Sequence, residues 1–162
     1  MSIVLMAIGI PGSGKTTILK PLAGQYGFTY INKDDIREEL LGDAKDQSRN
    51  REVWAEANRR AETAVAEGHS VILDGTYVER WKRTDAITLL KKAGAKRIVG
   101  LVFPVPFSVA RERNAARERV VSDEVMQWMQ VQLTNEPPSI DEGFDLLIST
   151  EDLSELPNLL MH

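Results

Sequence analysis

A chain of 162 residues, 43% hydrophobic and 27% charged, is long enough to bury one core and too apolar to be disordered. It has no cysteine, which excludes disulfides, thiolate metal sites and cysteine nucleophiles, and its two histidines, His69 and His162, lie far apart in sequence, against a histidine-based metal site. The net charge of -4 argues against a broad nucleic-acid or anionic-membrane surface and leaves room only for a small basic site.

The first apolar run, residues 3–8 ("IVLMAI"), is too short to cross a membrane and follows no basic segment, so a cytoplasmic protein is expected. Continuous apolarity over six residues predicts a strand buried on both faces. Glycines break the pattern, and residues 15–26 resume as a helix with Pro21 as a candidate kink. Residues 28–32 read as a second strand, expected beside the first. The stretch "DDIREELL" opens a helix with acidic residues in its first turn, and Asp35 with Glu38 has the spacing of a cap.

Residues 50–67 carry an apolar stripe at Val53, Trp54, Ala57, Ala61, Ala64 and Val65, and Gly68 supplies the stop. A third strand is expected over 70–74. "TYVE", residues 76–79, has the form of a capping box for a helix ending at Gly94. A fourth strand covers 97–103, and Pro106 suits the first turn of the following arginine-rich helix. Ser122, Asp123 and Glu124 start a helix bearing Val125, Trp128, Met129 and Leu133. A fifth strand over 144–149 and a short helix follow. Strands alternating with helices predict one α/β domain over residues 1–162, a five-stranded parallel sheet with helices on both faces.

"GIPGSGKTT" sits between the first strand and its helix and matches G-x-x-x-x-G-K-[ST] at Gly9, Gly14, Lys15 and Thr16. Such a loop turns successive backbone N–H groups toward a phosphate, and the helix N-terminus adds partial positive charge. The phosphate-binding set is thus Gly12, Ser13, Gly14, Lys15, Thr16 and Thr17. Lys15 is expected on the β- and γ-phosphates and the Thr16 hydroxyl on Mg²⁺. "NKDD", residues 32–35, fits the guanine-reading N-K-x-D pattern of GTPases. It follows the second strand rather than a late one, and the third strand ends in "DGTY" without D-x-x-G, so the guanine reading fails.

A strand ending at Asn32 delivers Asp34 and Asp35 to the carboxyl edge of the sheet, where open α/β sheets bind ligands. A carboxylate there can accept the proton of an attacking hydroxyl. Asp74, at the end of the third strand, reaches the same crevice. It can hold Mg²⁺ through water, orient an arginine, or cap the turn at Gly75–Thr76. Arg111, Arg113, Arg117 and Arg119 crowd one stretch, and helical spacing puts Arg113 and Arg117 on one face. Glu112 and Glu118 are candidate partners for these arginines.

"IGIPGSGKTT", "INKDDIR", "VILDGT" and "RERNAAR" together resemble the 5′-kinase domain of polynucleotide kinases and, more broadly, the zeta-toxin-like P-loop kinases. The likeness runs from Ile3 to Met129. It implies a nucleoside-kinase-like P-loop NTPase with ATP and Mg²⁺, Asp34 as general base, Arg37 on the substrate, and Asp74 at the metal or beside an arginine. It further implies an arginine-bearing lid over about residues 111–121, with Arg117 as the catalytic arginine and Arg113 second. Gly75 stands where related kinases place a hydroxyl residue. The implied activity is transfer of the γ-phosphate to a hydroxyl acceptor, leaning to the 5′-hydroxyl of RNA or DNA because Lys33 and Arg37 flank the base. Two readings stay open: the same chemistry on a small hydroxyl metabolite, antibiotic or nucleotide sugar, and a nucleotide-binding switch or ATPase without an acceptor. Asp34 speaks against the switch. No membrane or obligate protein partner is expected.

Overall fold

The computed structural model describes residues 2–118 and 120–161; Arg119 and His162 lie outside the described residues. In chain order the elements are β1 (Ile3–Ile8), α1 (Lys15–Tyr26), β2 (Thr29–Asn32), α2 (Lys33–Leu41), α3 (Asn50–Ala66) and β3 (Val71–Asp74). Then follow α4 (Arg80–Ala93), β4 (Arg97–Val102), α5 (Phe107–Ala115), α6 (Asp123–Asn135), β5 (Leu146–Ser149) and α7 (Leu156–Met161). The five strands form one parallel sheet in the order β2-β3-β1-β4-β5. No helix among the described residues is long and apolar enough to cross a membrane.

Alternation along β1 divides its side chains between two cores. Val4, Met6 and Ile8 pack with Ile36 of α2, with Val53, Ala57 and Ala61 of α3, and with Ile87 and Leu90 of α4. Ile3, Leu5 and Ala7 pack with Leu19 and Ala23 of α1 and with Leu156 of α7. Helices thus cover both faces, which is why β1 carries no polar residue. A third, small cluster of Ile10, Val78, Ala110 and Met126 binds the loop after β1 to α5 and α6.

Several local expectations are corrected. β2 pairs with β3, not with β1: Asn32 stands opposite Asp74, so β3 separates the second strand from the one bearing the glycine loop. Asp35 is not the cap of α2. Asn32 is, its side-chain oxygen accepting from the N–H groups of Asp34 (2.8 Å) and Asp35 (3.1 Å). "TYVE" forms no capping box, because Tyr77 takes a left-handed backbone (φ 48°) and α4 begins only at Arg80, without a side-chain cap. Pro106 precedes the first turn of α5 rather than lying in it. α1 runs through Pro21 as one helix. On α6 the residue driven fully inward is Met126, with Met129 and Leu133 partly buried beside it, whereas Val125 and Trp128 face outward.

Candidate active site

The glycine loop crosses the carboxyl end of β1 and runs straight into α1. Its geometry is set by close packing as much as by turning. Gly12 has φ +82°, and a Cβ there would stand 2.1 Å from the carbonyl oxygen of Ala110, so the loop backbone lies directly on the backbone of α5. Gly9 N–H donates to the Thr76 carbonyl (3.1 Å), tying the loop's other end to the segment after β3. Gly14, also left-handed, leads into α1, whose N-terminus has no side-chain cap, so first-turn N–H groups remain for a ligand.

Lys15 is buried inside this loop. Its ammonium donates to the carbonyls of Gly9 (3.0 Å) and Ile10 (2.9 Å) and to Ser13 Oγ (3.4 Å). Burial pushes its pKa down to about 8; the Asp74 carboxylate opposes that fall, and the charge of Arg117 adds to it. Arg113 Nη1 stands 3.9 Å from the Cβ position of Gly14. Two arginines of this stretch, Arg113 and Arg117, therefore lie near the glycine loop, and among the described residues neither has a carboxylate within ion-pair distance. Arg111 instead pairs with Asp123 (2.6 Å).

The expectation that Arg113 and Arg117 share one helical face is corrected here. α5 ends at Ala115, and Arg117 lies in the turn beyond it, its N–H donating to the Asn114 carbonyl (3.1 Å). Asn114 closes that turn: its side chain donates to the Val121 carbonyl (2.7 Å) and accepts from Val121 N–H (3.1 Å). The turn is thereby pinned at 114 and 121, on either side of Arg117.

Asp74 is 4% exposed, and its Oδ2 collects three donors from two elements. These are Thr16 Oγ1 of α1 (3.0 Å), Asn32 Nδ2 of β2 (3.2 Å) and the Tyr30 hydroxyl of β2. The burial of Tyr30 and its bond to Asp74 raise the phenol's pKa well above its usual value. Of the roles open to Asp74, the one beside an arginine is not realised among the described residues. The Thr16 hydroxyl and the Asp74 carboxylate form a compact pair of hard oxygens, chemically suited to Mg²⁺. No cluster of three metal-ligating carboxylates or histidines occurs among the described residues.

Asp34 lies in the first turn of α2, half-exposed, within electrostatic reach of Lys15. Its Oδ1 accepts from Arg37 Nη1 (2.6 Å). Arg37 is itself buried, with Nη2 on Asn50 Oδ1 (3.0 Å) and Nη1 also near the Ala44 carbonyl (3.5 Å). Its guanidinium is occupied in holding Asp34 and the start of α3; only the buried Nε lacks a partner.

Beyond Asp34 lies an aromatic cluster in which Tyr77 and Trp81, legible in the sequence as candidate base-stacking aromatics near the crevice, are joined by Trp54, which the sequence places only in an apolar stripe. The Lys33 ammonium sits 4.0 Å from the Trp54 ring centre and 4.2 Å from that of Tyr77, and burial lowers its pKa well below the usual range. Trp54 makes edge-on contacts with Tyr77 (5.4 Å) and Trp81 (6.1 Å). Gly75 is what admits this arrangement: a Cβ there would meet Tyr77 Cε2 at 3.0 Å and Lys33 Cε at 3.2 Å. The space next to Asp74 is filled by Lys33 and Tyr77. Asn32 was also missed, as cap and as Asp74 donor, although asparagine one residue before an acidic first turn is a recognised cap signal.

The family described as AAA domain matches residues 4–136 of the chain. Over 154 residues the chain is 27% identical to a cytidylate kinase of Methanocaldococcus jannaschii, covering 90% of this chain and 80% of that one. Among solved structures, a sugar kinase from Janibacter aligns over 99% of this chain and 91% of its own (TM-score 0.64, 18% identity). A chain of the Pnkp1/Rnl/Hen1 RNA repair complex aligns over 89% of this chain with a TM-score of 0.73 and 19% identity; this chain covers 46% of it. At such identities the two structures establish the shared fold.

Proposed function

The chain belongs to the AAA domain family and is an ATP-dependent kinase, and from there we propose that it transfers the γ-phosphate of ATP to the 5′-hydroxyl end of a polynucleotide. The observation that carries the acceptor half is Asp34: a carboxylate at the carboxyl edge of the sheet, held by Arg37 and close enough to feel the charge of Lys15. A nucleotide switch has no use for a base placed there.

In this mechanism Lys15 leaves the Gly9 and Ile10 carbonyls for the β- and γ-phosphate oxygens, and the first-turn N–H groups of α1 complete the cradle. Thr16 and Asp74 would hold Mg²⁺, which would supply neutralisation of charge on the phosphate oxygens. The acceptor oxygen bonds to the γ-phosphorus as the bond to the β-phosphate oxygen breaks, and ADP leaves. Asp34 takes the acceptor's proton while Arg37 fixes its orientation. Arg113 and Arg117 stabilise charge on the transferring phosphoryl group. The four motifs shared with polynucleotide kinase domains, and the fold shared with the RNA repair chain, support the 5′-end acceptor.

The test is transfer of labelled γ-phosphate from ATP with Mg²⁺ to 5′-hydroxyl RNA and DNA oligomers, beside a panel of sugars, nucleoside monophosphates and other small hydroxyl compounds. Label on oligomer ends is expected. Label confined to a small compound would leave the kinase chemistry standing and refute the polynucleotide acceptor.

A further inference from the structure

Trp81 is 52% exposed, an unusual position for an indole, yet it is firmly held. Its Nε1–H donates to Glu79 Oε2 (2.7 Å), and its ring rests edge-on against Trp54. The neighbouring Lys82 pairs with the same Glu79 (3.1 Å) and lies 5.6 Å from the Trp81 ring centre.

The backbone beneath is rigid for an independent reason. Arg83, the next residue, is fully buried and spends its guanidinium on four acceptors. Nε and Nη2 form a two-point pair with Glu142 (2.6 and 3.0 Å), Nη1 donates to the Tyr77 carbonyl (2.8 Å) and Nη2 to the Glu136 carbonyl (2.7 Å). The first turn of α4 is thereby fixed to the left-handed Tyr77 turn and to the segment after α6. Trp81 belongs to none of the buried core clusters among the described residues, and about half of it stands open to solvent.

The cluster is continuous with the chemistry. Trp81 touches Trp54, Trp54 carries the Lys33 ammonium, and Lys33 precedes Asp34 in the first turn of α2. Glu79, Lys82 and Trp81 form a locally neutral patch, which suits a flat uncharged ring better than a lone anion.

We propose that the exposed Trp81 indole is a stacking platform for the nucleobase of the acceptor, so that the site selects acceptors carrying an aromatic heterocycle over polyols and sugars. This rests on the kinase reading and names the acceptor class within it. A preformed indole of this kind strengthens base binding by about 10-fold or more, with little dependence on base identity. Because Glu79 neutralises Lys82, the contribution of Trp81 is also only weakly sensitive to salt.

The experiment is a tryptophan-fluorescence titration of the full chain, with the ATP site saturated by a Mg²⁺-bound non-hydrolysable ATP analogue. Adenosine, ribose and a 5′-hydroxyl tetra-adenylate serve as probes. Adenosine and the oligomer should quench and ribose should not. Trp81→Ala should weaken oligomer binding about 10-fold and raise its KM to match, with the KM for ATP unchanged; Trp81→Phe should recover part of the loss. Equal binding of ribose and adenosine, or wild-type oligomer affinity in Trp81→Ala, would overturn the platform. Failure of wild-type protein to phosphorylate any acceptor, with adenosine quenching intact, would strike the kinase reading and leave the platform in place.

Discussion

Replacing Gly12 with alanine would set a methyl carbon 2.1 Å from the Ala110 carbonyl oxygen, with the Ala110 carbon (3.0 Å) and the Asn114 nitrogen (3.1 Å) also in tight contact. These are backbone atoms of α5, so no side chain can swing aside. Two costs combine. A left-handed φ costs an L-residue about 1–2 kcal/mol, and forcing packed backbones apart costs about 1–3 kcal/mol more. Urea denaturation should therefore show Gly12→Ala destabilised by about 2–5 kcal/mol. Gly14→Ala is the matched control. It shares the left-handed backbone, but its nearest neighbour is the movable Arg113 Nη1 at 3.9 Å, so it should lose only the first cost. Displacing α5 also carries Arg113 and Arg117 away from the loop, so calorimetry should show weaker ATP binding in Gly12→Ala. A Gly12→Ala protein as stable as Gly14→Ala would refute the close packing of the phosphate loop on α5.

Arg83→Met leaves the buried Glu142 with only the more distant Arg80 (3.9 Å) as a cation and should cost about 3–5 kcal/mol in urea denaturation; a loss under 1 kcal/mol would mean the pair is not buried as described. Lys15 should titrate near pH 8, read from its side-chain carbon shift by NMR. Because its folded pKa lies below the ordinary 10.5, the unfolded chain holds a proton that the folded chain has lost between those values. This group's contribution to stability therefore rises with pH across that window, by about 3 kcal/mol in all. A midpoint near 10.5 would show that the ammonium is not buried in the loop. Arg117→Ala should depress turnover by about 10-fold or more with ATP affinity little changed, since its contact strengthens in the transition state. A change in folding stability alone would remove its catalytic role.

Strand periodicity and the glycine loop were legible because each is a local property: six apolar residues in β1, and a spaced motif whose chemistry follows from its residue types. Strand neighbours were not legible. That β3 lies between β2 and β1 depends on long-range pairing, so Asp34 reaches the crevice from one strand further out than expected. The capping errors have a common cause. Asp35 and Thr76 fitted cap spacings, but Asn32 was already placed to accept from the first turn of α2, and the Tyr77 turn held by Arg83 delayed α4 to Arg80. The Lys33–Trp54–Tyr77–Trp81 cluster draws on three separate stretches of chain, and no local pattern announces it. What the sequence offers is Tyr77 and Trp81 as candidate aromatics near the crevice, and Gly75, the glycine that makes room for the cluster; the part played by Trp54 and Lys33 needs the long-range packing.

The assignment of Asp34 as the base carries the whole reaction, and it can be tested by comparing Asp34→Ala with wild type in one pair of assays. These are transfer of labelled γ-phosphate to 5′-hydroxyl oligomers and calorimetric binding of ATP with Mg²⁺. Transfer should fall by at least about 100-fold while ATP affinity stays the same. Retained transfer, or an ATP affinity lost together with transfer, would contradict that role and place Asp34 in the structural or nucleotide-binding part of the site.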